Sequence, residues 1–104
     1  MAIVELSIVP IGTESSSLSG YVAGVLRILS KEEDLKYQLT PMGTIIEGDL
    51  MRILEVIKEM HDSVFCEDIK RVVTTIKIDD RRDKNATMAQ KLNSVDKKTQ
   101  KIDE

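Results

Sequence analysis

The chain has very few of the residues on which catalytic and metal sites are usually built. Its 104 residues include one cysteine, Cys66, and one histidine, His61. A single cysteine excludes an intramolecular disulfide and any multi-cysteine metal site, and it is typical of a reducing compartment. With one histidine, a zinc site would consist mostly of carboxylates, which is uncommon. We therefore predict neither a metal site nor a cofactor.

Aromatic side chains and an excess of basic charge are also lacking. Aromatic residues make up 3% of the chain, tryptophan is absent, and the formal net charge is −3. Proteins that bind nucleic acids usually carry a basic surface, and those that bind single strands add aromatic stacking platforms. The composition therefore indicates no nucleic-acid partner.

Long apolar runs are missing as well. The first ten residues are apolar but include Glu5 and lack a basic start, and no segment approaches the roughly 20 residues of a membrane span. Hydrophobic residues at 41% and charged residues at 32% are typical of a globular protein of one domain. We expect a single cytoplasmic domain over residues 1–104 with no membrane partner.

Hydrophobic periodicity divides the chain into alternating strands and helices. Alternation and β-branched content predict strands over residues 2–9, 34–40, 44–47 and 70–78. The first strand is predicted to end at Pro10 and the last before the charged run of residues 79–84. Apolar residues at helical spacing predict one helix after the serines at 15–17, ending near Ser30, and a second helix after the N-cap Asp49.

The order of these elements is that of a ferredoxin-like fold. A β-α-β-β-α-β sequence predicts an α+β domain in which two helices cover one face of a four-stranded antiparallel sheet. A further amphipathic helix is predicted over residues 85–102, and its narrow apolar stripe suggests a partner surface. The stripe consists of Met88, Leu92, Val95, Thr99 and Ile102. The first predicted helix contains two glycines, Gly20 and Gly24. Either another backbone approaches the helix closely at these positions, or the helix tolerates the two glycines without any such contact.

The sheet face away from the helices carries a mixture of aliphatic and polar residues. Its predicted members are Glu5, Ser7, Ile45, Glu47, Val73, Thr75 and Lys77. Apolar groups of this kind usually mark association or ligand binding, so an oligomer interface with embedded polar sites is predicted. The alternative is a partly solvated face.

The isolated reactive residues do not form a recognisable catalytic set. His61 is interpreted as a structural hydrogen-bonding residue, and Cys66, next to two acidic residues, as an inert and partly buried thiol. Glu5 and Glu47 would act as paired carboxylates, bind a cation, or form ion pairs with Lys77. The charged run of residues 79–84 would either hold an anion or hydroxyls, or form a solvated loop with internal ion pairs.

Several segments taken together resemble a known family. They are Val-Pro-Ile-Gly-Thr at 9–13, Ser-Gly-Tyr-Val-Ala at 19–23, Gly-Thr-Ile-Ile-Glu-Gly at 43–48, His61, and Arg81 with Asp83 and Lys84. In order and spacing these segments are similar to those of the MTH1187/YkoF-like (UPF0045) family of thiamine-binding proteins. The resemblance implies a ferredoxin-like domain that associates through its sheets into dimers and tetramers, and that binds thiamine or its hydroxymethylpyrimidine moiety.

The resemblance also implies a set of ligand-binding residues. Ser7, Thr13, Thr44, Glu47 and Thr75 would lie near the ligand, with Arg81 and Asp83 at the rim. The aminopyrimidine of thiamine needs hydrogen-bond donors and acceptors, and its cationic thiazolium is favoured near a carboxylate. YkoF-type members have two domains, so a site between repeats would here be formed by two subunits.

Three functions remain open on the sequence alone. The preferred hypothesis is a non-catalytic protein that binds thiamine or the related pyrimidine, acting as a homo-oligomer, with a dimer of dimers as the expected form. One alternative is a structural or regulatory oligomeric subunit without a ligand, docking through residues 88–102. The other, less favoured, is an enzyme acting on a small heterocycle with Glu47 as acid or base.

Overall fold

Four strands and two helices form the predicted β-α-β-β-α-β order. The structure is a computed structural model and describes residues 1–12, 19–83, 92–93 and 95. The elements are β1 (Ala2–Ile11), α1 (Ser19–Ser30), β2 (Lys36–Thr40), β3 (Gly43–Gly48), α2 (Leu50–Val64) and β4 (Arg71–Asp80). The sheet order is β2-β3-β1-β4 with all neighbours antiparallel. The α+β ferredoxin-like prediction is therefore confirmed for these elements.

Alternation along β1 separates the two faces of the sheet. Ala2, Val4 and Leu6 are buried on the helix-covered face, and Val4 pairs with the equally buried Ile46 of β3. The residues between them, including Glu5 and Ser7, point to the other face, which we call the open face. The core lies between the helices and the sheet, with Leu29 of α1 and Ile53 and Met60 of α2 among its fully buried side chains.

Helix α2 begins at the N-cap that the sequence predicts. The Asp49 carboxylate accepts a hydrogen bond from the Arg52 amide at 3.2 Å, satisfying one of the unpaired N–H groups of the first turn. The buried side chains of α2 recur at spacings of three and four, which is the pattern of a helix with one apolar face. They are Ile53, Val56, Ile57, Met60 and Val64.

The Arg52 side chain joins the start of α2 to the loop between α1 and β2. Its guanidinium contacts Glu32 at 2.6 Å, Asp34 at 3.0 Å and Glu55 at 2.7 Å. The hydrogen bond from Arg52 holds the pKa of Asp34 below its ordinary value, and the same carboxylates raise the pKa of Arg52. This ion-pair cluster fixes the loop that leads into β2.

Two predicted strand ends are wrong. Pro10 lies within β1 opposite Val72, and β1 continues to Ile11. The pairing of β1 with β3 stops at Leu6, so beyond it β1 has one neighbour and the missing N–H of proline is tolerated. Likewise Asp79 and Asp80 belong to β4, because they continue its pairing along β1 as far as Ala2.

The glycines of α1 have no close backbone contact within the described part of the chain. A Cβ placed on Gly20 or Gly24 would have no atom of the described chain within 4 Å. Within the described chain, therefore, no close approach accounts for the two glycines, and contact with a second subunit stays a prediction. Gly43 is different, because a Cβ there would lie 2.5 Å from the Leu6 carbonyl oxygen of the neighbouring strand.

The C-terminal helix predicted over residues 85–102 lies outside the described residues except for Leu92, Asn93 and Val95, and it stays a prediction. Within the part of the chain that is described, no helix is long and apolar enough to span a membrane.

Candidate ligand-binding site

A cavity of about 270 Å³ lies on the helix-covered side of the sheet. It is bounded by the second half of β1, by α1, and by the turn between β2 and β3, with Met60 and Val64 of α2 behind. Most of its lining is apolar, including Val25 and Leu26. Its volume is close to the lower end of the roughly 300–1,000 Å³ that small-molecule sites occupy.

Besides that of Ser7, whose side chain points to the open face, two hydroxyl groups in the lining have no hydrogen-bond partner among the described residues. They belong to Tyr21 of α1 and Thr44 of β3, and both side chains are partly buried. A third hydroxyl, that of Thr40, is already engaged, because it donates to the Gly43 carbonyl at 3.1 Å and accepts from the Met42 amide at 3.2 Å. The cavity thus offers two hydroxyl donors or acceptors within an apolar surface, which suits a flat polar heterocycle.

The segments that carry the family resemblance converge on this cavity. Val9 and Pro10 come from the first, Tyr21 and Val22 from the second, and Gly43 and Thr44 from the third. Thr13 belongs to the connection between β1 and α1, and it lies outside the described residues. Each of these segments is far from the others in sequence. The β1–β3 pairing ends with Leu6 opposite Thr44, so the third segment begins beside the strand that continues into the first.

The structure divides the predicted site residues into separate groups. Ser7 and Thr44 line the cavity, and Thr75 lies directly opposite Ser7 on the open face. Glu47 also lies on the open face, but it pairs with Ile3, which is four residues or about 13 Å along β1 from Ser7. Arg81 and Asp83 follow β4 at that same end of the sheet, since Asp80 pairs with Ala2.

Glu47 has an unusual environment for a carboxylate. Its exposed fraction is 4%, and its Oε1 has no hydrogen-bond partner among the described residues. An unpaired polar atom at such a position carries a desolvation cost. Lys36 of β2 lies directly opposite Glu47 in the sheet and is exposed.

The charged run after β4 is internally paired. Arg81 forms a bidentate pair with Asp83, at 2.6 Å through Nε and 3.0 Å through the terminal nitrogen. Arg82 contacts Asp80 at 3.1 Å. Hydrogen bonding to Asp83 raises the pKa of Arg81. The internal ion pairs expected for this run are therefore found, but Asp79 and Asp80 belong to β4 and not to a loop.

His61 and Cys66 lie away from the cavity. The Nδ1 atom of His61 is 2.6 Å from the Thr74 hydroxyl oxygen, and the ring packs edge-on against Phe65, which agrees with the structural interpretation. Cys66 is exposed, so its predicted partial burial is wrong. The reason is the tight turn in which Cys66 and Ile69 exchange two backbone hydrogen bonds and Ile69 takes the buried position.

Sequence reasoning missed several cavity residues, notably Tyr21, Val25 and Thr40. The spacing of four between Tyr21 and Val25 places both on one face of α1, which is a usable signal. The two-residue turn at 41–42 similarly predicts that Thr40 lies opposite Gly43, as it does.

Comparison with known proteins identifies the family. Residues 4–96 match the family model described as thiamine-binding protein. The chain belongs to the thiamine-binding protein family. The predicted relationship to the MTH1187/YkoF-like (UPF0045) group is therefore confirmed, by relatives in sequence as well as in structure.

Among the family members, the UPF0045 protein YqgV of Bacillus subtilis is 50% identical over 103 residues, covering 96% of this chain and 99% of its own. A UPF0045 protein of Methanothermobacter thermautotrophicus is 41% identical over 99 residues, or 94% and 99% of the two chains. The crystal structure of MJ1052 from Methanocaldococcus jannaschii superposes with a TM-score of 0.82 at 39% identity, covering 90% of this chain and 94% of that one.

A more distant structure shows the same fold. A Thermotoga maritima protein, whose name assigns it to thiamine biosynthesis or salvage, superposes with a TM-score of 0.75 at 23% identity. The superposition covers 90% of this chain and 97% of that one.

Proposed function

We propose that the protein binds thiamine, or its hydroxymethylpyrimidine moiety, without transforming it, and that the aminopyrimidine lies in the 270 Å³ cavity beside β1. The observation that carries this proposal is the convergence of three family segments on one cavity. Tyr21 and Thr44 would supply hydroxyl groups to the ring nitrogens and amine, and Val25 and Leu26 would pack against the ring. The net charge of −3 favours approach of the thiamine cation.

The position of Glu47 separates this site from the one predicted on the open face. Glu47 lies on the opposite side of β3 from Thr44, three residues or about 10 Å along the strand. One small ligand in the cavity therefore would not contact Glu47. For the same reason the geometry does not favour an enzyme in which Glu47 acts on a molecule held in the cavity.

The same substitution at two predicted site residues tests the proposal. Thr44→Val removes a hydroxyl from the cavity, and Thr75→Val removes one from the open face, with little change in volume. We expect Thr44→Val to weaken binding of thiamine roughly 3- to 10-fold, the value of one hydrogen bond, and Thr75→Val to leave it unchanged. Isothermal titration with thiamine and with hydroxymethylpyrimidine measures both.

The possible outcomes are distinct. A loss confined to Thr75→Val would move the ligand to the open face. Absence of heat with either compound and the unmodified protein would exclude the function itself.

The proposal includes self-association, with a dimer of dimers as the expected form. The open face exposes Val9, Ile11 and Val73, which lie together because Val9 pairs with Val73 and Ile11 with Arg71. Ile3 and Ile45 on the same face are partly buried. An apolar group of this kind on a sheet is suited to packing against the sheet of a second subunit.

A further inference from the structure

The connection between β2 and β3 forms one wall of the cavity. It consists of two residues, Pro41 and Met42, and both line the cavity. The Met42 side chain is 83% exposed, so packing against the described chain does little to hold this connection in place. Proline fixes only its own φ angle. A fixed shape of this wall therefore depends on hydrogen bonds within the connection.

The Thr40 side chain supplies these hydrogen bonds. Its hydroxyl donates to the Gly43 carbonyl at 3.1 Å and accepts from the Met42 amide at 3.2 Å. The first bond uses the one proton of the hydroxyl, and the second satisfies an amide of the turn. Threonine hydroxyls stabilise tight turns by such bonds to nearby backbone groups. The Thr40 hydroxyl thus bridges the two sides of the connection.

The bond to the Gly43 carbonyl also orients Thr44. This carbonyl belongs to the planar peptide unit that joins Gly43 to Thr44, so a bond to its oxygen restricts the plane in which the Thr44 backbone begins. Glycine lacks a Cβ, and its flanking peptide units therefore have more accessible orientations than those of other residues. The ladder gives little further restraint here, because Thr44, opposite Leu6, is the end residue of the β1–β3 pairing.

We propose that Thr40 is a positioning residue of the candidate site. Its hydroxyl holds the connection at 41–42 and the Gly43–Thr44 peptide in one arrangement before a ligand arrives, so that the Thr44 hydroxyl is already oriented in the cavity. Binding then costs less conformational entropy than it would with a loose wall. This role rests on the proposed binding of thiamine in the cavity, and Thr40 acts through the backbone and not through contact of its own hydroxyl with the ligand.

Removal of the hydroxyl tests this role. Thr40→Val keeps a β-branched side chain of similar volume but leaves the Met42 amide and the Gly43 carbonyl without these bonds. We expect it to weaken thiamine binding roughly 3- to 10-fold in isothermal titration, the value of about one hydrogen bond. Thr40→Ser retains the hydroxyl and should bind thiamine within about twofold of the unmodified protein.

Ser30→Ala is the matched control. The Ser30 hydroxyl donates to the Arg27 carbonyl at 2.9 Å, across the same separation of three residues, but it lies at the end of α1 and outside the cavity lining. This variant should bind thiamine as the unmodified protein does. Equal weakening by Ser30→Ala and Thr40→Val would overturn the specific role of Thr40.

Hydrogen exchange separates positioning from direct contact with the ligand. In the ligand-free protein, the Met42 amide should exchange at least threefold faster in Thr40→Val than in Thr40→Ser or the unmodified protein, because its acceptor is lost. The amide of Ile46, which pairs with both neighbouring strands, is the internal reference and should be unchanged. Equal exchange of the Met42 amide in all three proteins would overturn the proposal.

A double variant shows whether Thr40 acts through Thr44. In a protein that already carries Thr44→Val, the hydroxyl that Thr40 orients is absent, so Thr40→Val should weaken thiamine binding by less than about twofold. If the two losses multiply instead, Thr40 acts independently of Thr44 and the proposal is overturned.

Failure of this role and failure of the proposed function give different results. If the unmodified protein gives no heat with thiamine, the proposed function fails and the role of Thr40 fails with it. If it binds thiamine and Thr40→Val binds equally well, or Thr40→Ser does not recover binding, only the role of Thr40 is overturned. Thr40→Ala, which also lacks the hydroxyl, provides the same comparison if Thr40→Val does not fold.

Discussion

The two helices of the domain cover the same face of the sheet but are built very differently. α2 has 15 residues, a side-chain N-cap, five buried side chains and an arginine that binds the preceding loop. α1 has 12 residues, two glycines, and Leu29 as its one fully buried side chain among those described.

This difference leaves space beside α1. Its side chains at 21, 22, 25 and 26 line the cavity, and those of Val25 and Leu26 pack only partly buried against the core. The comparison indicates that α2 supplies most of the stability of the helical layer, whereas α1 supplies a wall of the candidate site.

The largest expected effect contrasts a core residue of α2 with a cavity-lining residue of α1. Ile53→Ala in α2 removes a side chain with no exposed surface and should lower the free energy of unfolding by roughly 2–5 kcal/mol. Val25→Ala in α1 should cost at most about 1 kcal/mol, because Val25 is partly buried, but should weaken thiamine binding more than Ile53→Ala does. Urea unfolding and titration with thiamine measure the two quantities. Equal losses of stability in the two variants would contradict the conclusion that α2 stabilises the helical layer while α1 forms a wall of the candidate site.

Substitution of a glycine in α1 should change the free energy of unfolding by a smaller amount and in the opposite direction. Gly24→Ala should stabilise the protein by about 0.5–1 kcal/mol, since alanine favours a helix and the space around Gly24 is open. Gly43→Ala is the matched control and should destabilise it, because the new Cβ would collide with the Leu6 carbonyl. Thermal unfolding shows whether each variant has a higher or a lower Tm than the unmodified protein. A lower Tm for Gly24→Ala would indicate that another subunit packs against α1.

The smallest effect concerns the ion pairs at the start of α2. Binding to Arg52 lowers the pKa of Asp34 from its ordinary value of 3.8, so the folded state binds this proton less readily than the unfolded state. The stabilisation is therefore complete above about pH 4 and is lost as the pH falls through the lower folded value. Urea unfolding of Asp34→Asn and the unmodified protein should differ slightly at pH 7, and the difference should shrink as the pH falls below about 4. A difference that stays the same between pH 7 and pH 2 would exclude this ion pair as its cause.

Most of the fold could be predicted from local patterns. The Asp49 cap, the spacing of apolar residues in α2 and the alternation along β1 each depend on a few neighbouring residues, and all three are found. The errors occur where pairing with another strand overrides a local signal. Pro10 and Asp79 look like strand breakers in sequence, yet each lies opposite a residue of a neighbouring strand and continues the ladder.

The candidate site was predicted only in part. Knowing which face of the sheet a side chain points to does not show whether that side chain lines a cavity. Alternation places Glu47 and Thr75 on the open face correctly, but the cavity lies on the other side of the sheet, where Thr44 is. Tyr21 and Val25 become site residues only because α1 stands away from the sheet at that end. Such a gap depends on packing between distant segments.

The sequence by itself determined the element order, the buried faces and the family, because periodicity, caps and motifs are local properties of a chain. The tertiary structure alone decided that three separated motifs surround one cavity, that Glu47 lies buried on the opposite face, and that β4 forms the outer edge of the sheet. These features depend on strand register and helix position, which arise from the combined packing of the whole core.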